Sequence, residues 1–98
     1  MIYISLPITG REKEARERAA LMKEKLQALF PGEKIVTPFE ICTEQDKRYS
    51  YYMGRDIEVL LECNLMAMAQ DWKTSKGCRL EAQAAKIYGI RRVVIKDS

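Results

Sequence analysis

The chain of 98 residues contains no histidine. That absence excludes a Ser-His-Asp triad, a Cys-His pair and any histidine-ligated metal. Acid–base chemistry therefore falls to the four Asp, ten Glu, five Tyr, three Cys or the lysines. Cysteine is also scarce. Cys42, Cys63 and Cys78 are odd in number and form no CxxC, so they read as small buried hydrophobes in a reducing cytoplasm, and no disulfide or metal site is expected. There is no GxGxxG and no GxxxxGK[ST], which leaves a dinucleotide or P-loop reading without support, and no cofactor is expected. No apolar run approaches the ~20 residues of a membrane span. The first residues lack a basic segment followed by an apolar one, so no signal peptide is read and a cytoplasmic protein is expected. Lys+Arg 17 against Asp+Glu 14 leaves a formal charge of +3 with the basic residues scattered among acids, so nucleic acid is not an expected partner. Repeats, low-complexity tracts and linkers are missing as well, and residues 1–98 read as a single domain. Such a short chain buries a modest core, which makes assembly a natural supplement, a homodimer first.

What is present alternates between strand and helix signals. Met1 to Ser5 is a β-rich run, broken by Pro7, Thr9 and Gly10. Thr9-x-x-Glu12 resembles a capping box. Ala15, Ala19, Met22, Leu26 and Leu29 then recur at helical spacing until Pro31-Gly32. Ile35 to Thr37 is a second strand closed by Pro38, and Phe39 to about Asp46 reads as loop. A second helix is expected from about Lys47 to Glu62. Leu65 to Ala69 is a continuous apolar run, as in a strand buried on both faces. Ser75 opens a third helix with Leu80, Ala84 and Ile87 inward and Gly89 as its C′ residue. Arg92 to Ile95 is the last strand. The order predicts an α/β fold, a small three-layer Rossmann-like parallel sheet of about four strands in flavodoxin-like order, with helices on both faces. Ligands in such sheets bind beyond the carboxyl ends of the strands, here the loops after Ser5 and after Ala69.

Two carboxylates lack helix partners. Glu81 has Gly77, Cys78, Ala84 and Ala85 three and four positions away; Asp56 has Tyr52, Met53, Val59 and Leu60. Neither can form an intrahelical ion pair, and both sit at the edge of an apolar stripe. An acid so placed needs a ligand or an external partner; the plainer reading is a rim acid reaching solvent or a remote Arg. Gly77, one turn before Glu81, leaves open space above it. Ser75 at a helix start offers a hydroxyl and free N–H groups to an anion, or serves as a simple N-cap. Thr9, Gly10 and Arg11 offer a similar apparatus in the first loop. Trp72 can stack on a base or pack as a lid, and Tyr49, Tyr51 and Tyr52 can line the crevice, a subunit contact or a helix face.

The stretches Tyr3-Ile-Ser-Leu-Pro-Ile-Thr-Gly10, Arg55-Asp56-Ile57 with Leu60, and Trp72-Lys-Thr-Ser75-Lys-Gly77 leading to Glu81 and Ala85 together resemble the nucleoside 2-deoxyribosyltransferase superfamily. That superfamily includes the 2′-deoxynucleoside 5′-monophosphate N-glycosidases, and the nearest likeness is to its short branch DUF4406. The resemblance spans nearly the whole chain. It implies that Glu81 is the nucleophile toward the anomeric carbon of a 2-deoxyribosyl group. Asp56 is implied to be the acid beside the nucleobase and Tyr3 the tyrosine that orients the glutamate. Ser75 corresponds to a serine contacting the 5′-phosphate, and Pro7 to Gly10 to the turn that cradles substrate. The expected activity is hydrolysis or transfer at the N-glycosidic bond of a nucleoside or nucleotide, with subunit contacts near the site. Leu6 stands where many relatives have Gly, Asn64 where an Asp commonly opens the third strand, and Gln70-Asp71 where the lead-in is more apolar. These departures keep open a non-catalytic nucleotide-binding or interaction module of the same fold.

Overall fold

The structure, a computed structural model, describes residues 1–96. Its elements are β1 (Ile2–Ser5), α1 (Glu12–Leu29), β2 (Ile35–Val36), α2 (Pro38–Ile41), α3 (Tyr49–Leu60), β3 (Leu65–Ala69), a 3-10 turn (Trp72–Thr74), α4 (Lys76–Ile87) and β4 (Arg91–Ile95). The four strands form one parallel sheet in the order β2-β1-β3-β4. This is the expected flavodoxin-like order. Its switch point lies between β1 and β3, where connections leave in opposite directions and open a crevice beyond the strand ends.

Strand alternation divides the interior. Ile2, Ile4 and Leu6 face α1, where Ala15, Ala19, Met22 and Leu26 meet them together with Ala67 and Ala69. Tyr3 points to the other face, toward α3 and α4, with Met66, Met68, Leu60, Ala82 and Ala85. β3 is thus covered on both sides, which is why Leu65 to Ala69 needs no polar alternation. β4 is an edge strand and leaves Val93 and Val94 exposed.

Helix ends follow local chemistry, with some differences from expectation. Gly89 adopts φ +72° after α4; its N–H bonds the Lys86 carbonyl and the Ile90 N–H bonds that of Ala85, a Schellman motif. Thr9 does not cap α1. Gly10 at φ +81° closes a turn in which the Arg11 N–H bonds the Ile8 carbonyl, and the helix starts after Arg11 without a side-chain cap. The reciprocal capping signal belongs instead to Thr37 and Glu40: Glu40 Oε1 accepts from the Thr37 N–H at 3.2 Å, and Pro38 presets the first helical φ. So α2 occupies part of the stretch read as loop. The inward face of α4 also differs. Cys78, Glu81, Ala82 and Ala85 are buried, whereas Leu80 is 53% and Ile87 66% exposed. The large residues are turned out because α4 lies close against the sheet through small ones.

Candidate active site

Helix α4 carries Glu81 under the carboxyl end of β1. There Tyr3 and Ser5, two residues apart and so on the same face of the strand, both reach it. The Tyr3 hydroxyl donates to Glu81 Oε2 and the Ser5 hydroxyl to Oε1, each at 2.6 Å and buried. One donor on each oxygen locks the carboxylate plane. Glu81 is only 5% exposed, and burial pushes its pKa up to about 7 against the opposing effect of the Ser5 and Tyr3 hydroxyls.

Helix α3 brings Asp56 to the same place from the other side. It is 8% exposed, and its Oδ1 has no hydrogen-bond partner among the described residues. Its pKa is pushed up to about 7, first by burial and then by the charge of Glu81, with the Tyr3 hydroxyl acting in the other direction. Among the described residues neither acid has a cation in ion-pair contact. Buried structural carboxylates are ordinarily paired, since desolvating a lone charge is costly.

Both acids line a cleft of about 440 Å³ whose walls include Leu6, Thr9, Phe39, Met53, Ser75 and Gly77. The Arg16 guanidinium lies 4.5 Å from the Phe39 ring centroid, and Lys23 bonds both oxygens of Glu40, so α1 holds the α2 wall in position. An adjoining concavity of about 240 Å³ is lined by Pro7, Ile8, Thr9, Arg11, Tyr49, Thr74, Ser75 and Lys76. It collects two cationic side chains at the amino terminus of α4, where the first-turn N–H groups lack intrahelical acceptors. Ser75 caps that helix, its hydroxyl oxygen accepting from the Cys78 N–H at 3.2 Å.

The structure therefore brings together Tyr3, Asp56 and Glu81, and beside them Thr9, Ser75 and Gly77; Pro7 and Arg11 border the adjoining concavity. Gly10 shapes the first turn and lines neither space. Trp72 is not brought to the cleft; it packs against the core under α4, with the Lys73 ammonium 5.6 Å from its ring centroid. The intervening loop instead serves to hold Asp71, which takes Arg18 at 2.7 Å and Arg11 at 3.5 Å. The Arg18 hydrogen bond, helped by the charges of both arginines, lowers the Asp71 pKa. The space that Gly77 frees is filled: a Cβ there would lie 2.8 Å from the Tyr49 hydroxyl and 3.2 Å from the Met53 sulfur. Asn64 lies at the opposite, amino ends of the strands, bonded to the Met1 amino group at 3.1 Å, so this departure does not touch the cleft. Leu6 does, being buried in the core while lining the cleft.

Sequence reasoning passed over Ser5 and Phe39. A hydroxyl at the last position of an otherwise apolar strand, in phase with Tyr3, is a usable signal for the first. Phe39 was hidden because its segment read as loop. Among the described residues no three His, Cys, Asp or Glu side chains are grouped as metal ligands, and no helix is long and apolar enough to cross a membrane.

Fold and site together define a small parallel α/β protein with a carboxylate-floored cleft at its topological switch point. The chain belongs to the family described as Domain of unknown function (DUF4406), whose model matches residues 1–94. No curated protein and no solved structure matches it.

Proposed function

We propose that the protein cleaves the N-glycosidic bond of a 2′-deoxynucleoside or its 5′-monophosphate, by hydrolysis or by transfer to a second base. The observation that carries this reading is the pair of buried acids in one open cleft, each with its pKa pushed up to about 7 and neither paired with a cation among the described residues. Two coupled carboxylates of this kind hold one proton between them near neutrality. The two hydroxyl donors on Glu81 favour its ionised form, and the bare Asp56 oxygen favours a protonated acid, which supports Glu81 as nucleophile and Asp56 as acid.

Glu81 attacks the anomeric carbon as the C–N bond breaks. The bonding electron pair passes to the base nitrogen, which takes the proton of Asp56. Water, or a second base, then attacks the same carbon and displaces Glu81, giving its proton to the Asp56 carboxylate. This is the two-carboxylate logic of retaining glycosidases, in which histidine has no necessary part. The likeness of the chain to nucleoside 2-deoxyribosyltransferases supports the same roles for Glu81, Asp56 and Tyr3. The adjoining concavity, with Arg11, Lys76 and Ser75, suits a 5′-phosphate.

The test is incubation of the purified protein with the deoxynucleosides and their 5′-monophosphates, with and without a second free base, followed by chromatography for released base. No release from any member would remove the reading. We propose a homodimer as the working form, with Leu80, Ile87 and Tyr88 offering an apolar surface for it. Light scattering at the mass of one chain would remove that proposal.

A further inference from the structure

Three tyrosines stand within four residues at the start of α3, and two are engaged in the fold. The Tyr52 hydroxyl accepts from the Lys47 N–H at 3.2 Å and donates to the Glu44 carbonyl at 3.1 Å, which ties down the preceding loop. Tyr51 packs edge-on against Tyr52, ring centroids 5.7 Å apart, with the Lys47 ammonium over its other side. Tyr49 is different. It is 55% exposed, its hydroxyl has no hydrogen-bond partner among the described residues, and it lines both the carboxylate cleft and the adjoining concavity. Its hydroxyl lies over the first turn of α4 because residue 77 is glycine; a Cβ would come within 2.8 Å of it. Burial and the nearby charges of Glu81, Cys78 and Asp56 push the phenol up, so it stays a proton donor. The phenol thus stands where two spaces join, in the same cleft as the bare buried oxygen of Asp56, with a hydroxyl free to meet a ligand.

We propose that Tyr49 is the specificity residue of this site: its phenol donates a hydrogen bond to a phosphate oxygen of the substrate where the two spaces meet. It thereby sets the preference for a 5′-monophosphate over the free nucleoside. The assignment rests on the function proposed above and adds the residue that reads the phosphate. Arg11 and Lys76 attract the anion from a distance, whereas the phenol is a directional contact beside the carboxylates.

Calorimetric titration tests it, performed on the full chain carrying Glu81→Gln so that ligand is not consumed. The ligands are the four common deoxynucleosides and their 5′-monophosphates. Removing one hydrogen bond to a charged group, by adding Tyr49→Phe, weakens monophosphate binding by about tenfold or more and leaves nucleoside binding unchanged. Gly77→Ala, which keeps the tyrosine but occupies its seat, also weakens monophosphate binding, and thermal melts show that both variants fold. Unchanged monophosphate affinity in both variants would overturn the assignment while leaving the proposed function standing. Equal weakening of nucleoside and monophosphate by Tyr49→Phe would overturn it too, since Tyr49 would then only cover the cleft. Failure of the Glu81→Gln parent to bind any of the eight ligands would overturn it, and hydrolytic activity of the unmutated chain on the same panel would tell whether the proposed function falls with it.

Discussion

The two faces of β1 are built from alternate residues of one five-residue run, yet they serve opposite ends. On the α1 face Ile2, Ile4 and Leu6 pack into an apolar cluster. On the α3–α4 face Tyr3 and Ser5 hold a buried glutamate, with a second acid close by. The first face stabilises by removing apolar surface from water, roughly 25 cal/mol for each Å². The second carries desolvated carboxylates that cost stability whenever they ionise. The difference teaches that a domain this small can hold a buried acid pair when the desolvation cost falls on one side of its sheet.

That contrast can be broken in order of effect. Glu81→Gln lowers base release more than about a thousandfold, as loss of a nucleophile does, without lowering the urea midpoint at pH 8. A variant that keeps its activity would dismiss the nucleophile. Leu26→Ala, on the dry face, does the converse: it costs about 2–5 kcal/mol in urea unfolding and leaves turnover per folded molecule unchanged. Asp56→Asn joins the two behaviours. Asp56 moves from an ordinary value of 3.8 to about 7 on folding, so the folded state holds a proton that the unfolded state has released. Its contribution to stability therefore falls as pH rises from about 4 to about 7, and the full penalty is present above that. The variant is expected to be more stable than the parent at pH 8 by on the order of 2 kcal/mol, with the gain gone at pH 4, and to be inactive. Equal stability differences at both pH values would show that Asp56 is not shifted. The smallest effect belongs to Ser75→Ala, which removes the α4 cap and costs about 1 kcal/mol, read by thermal melts.

Much of the frame was legible along the chain. β3 was read to the residue, because five consecutive apolar residues bounded by polar ones have few other uses. Gly89 was read as C′ because only glycine takes that conformation without penalty. Asp56 and Glu81 stood out because each lacked a basic residue one helical turn away, and that is a property of spacing alone. α2 was missed since a four-residue helix leaves no periodicity. Leu80 and Ile87 were turned inward in the reading because size was taken as a guide to burial, whereas α4 packs through Cys78, Ala82 and Ala85. Trp72 could be read as stacking on a base or packing as a lid, because an aromatic loop residue serves either end; in the fold it packs against the core instead.

What the chain determined by itself was local: where strand alternation gives way to helical spacing, which residues end each element, and which acids have no neighbour to neutralise them. These follow from backbone sterics and periods of 2 and 3.6, which act over a few residues. The tertiary structure alone decided that Ser5 and Tyr3 would meet Glu81 across 76 and 78 positions. It also placed Asp56 beside them with one oxygen bare and Tyr49 between two spaces. Those are consequences of parallel strand order and of burial, and desolvation, which sets the protonation of both acids, exists only once the chain has closed around them.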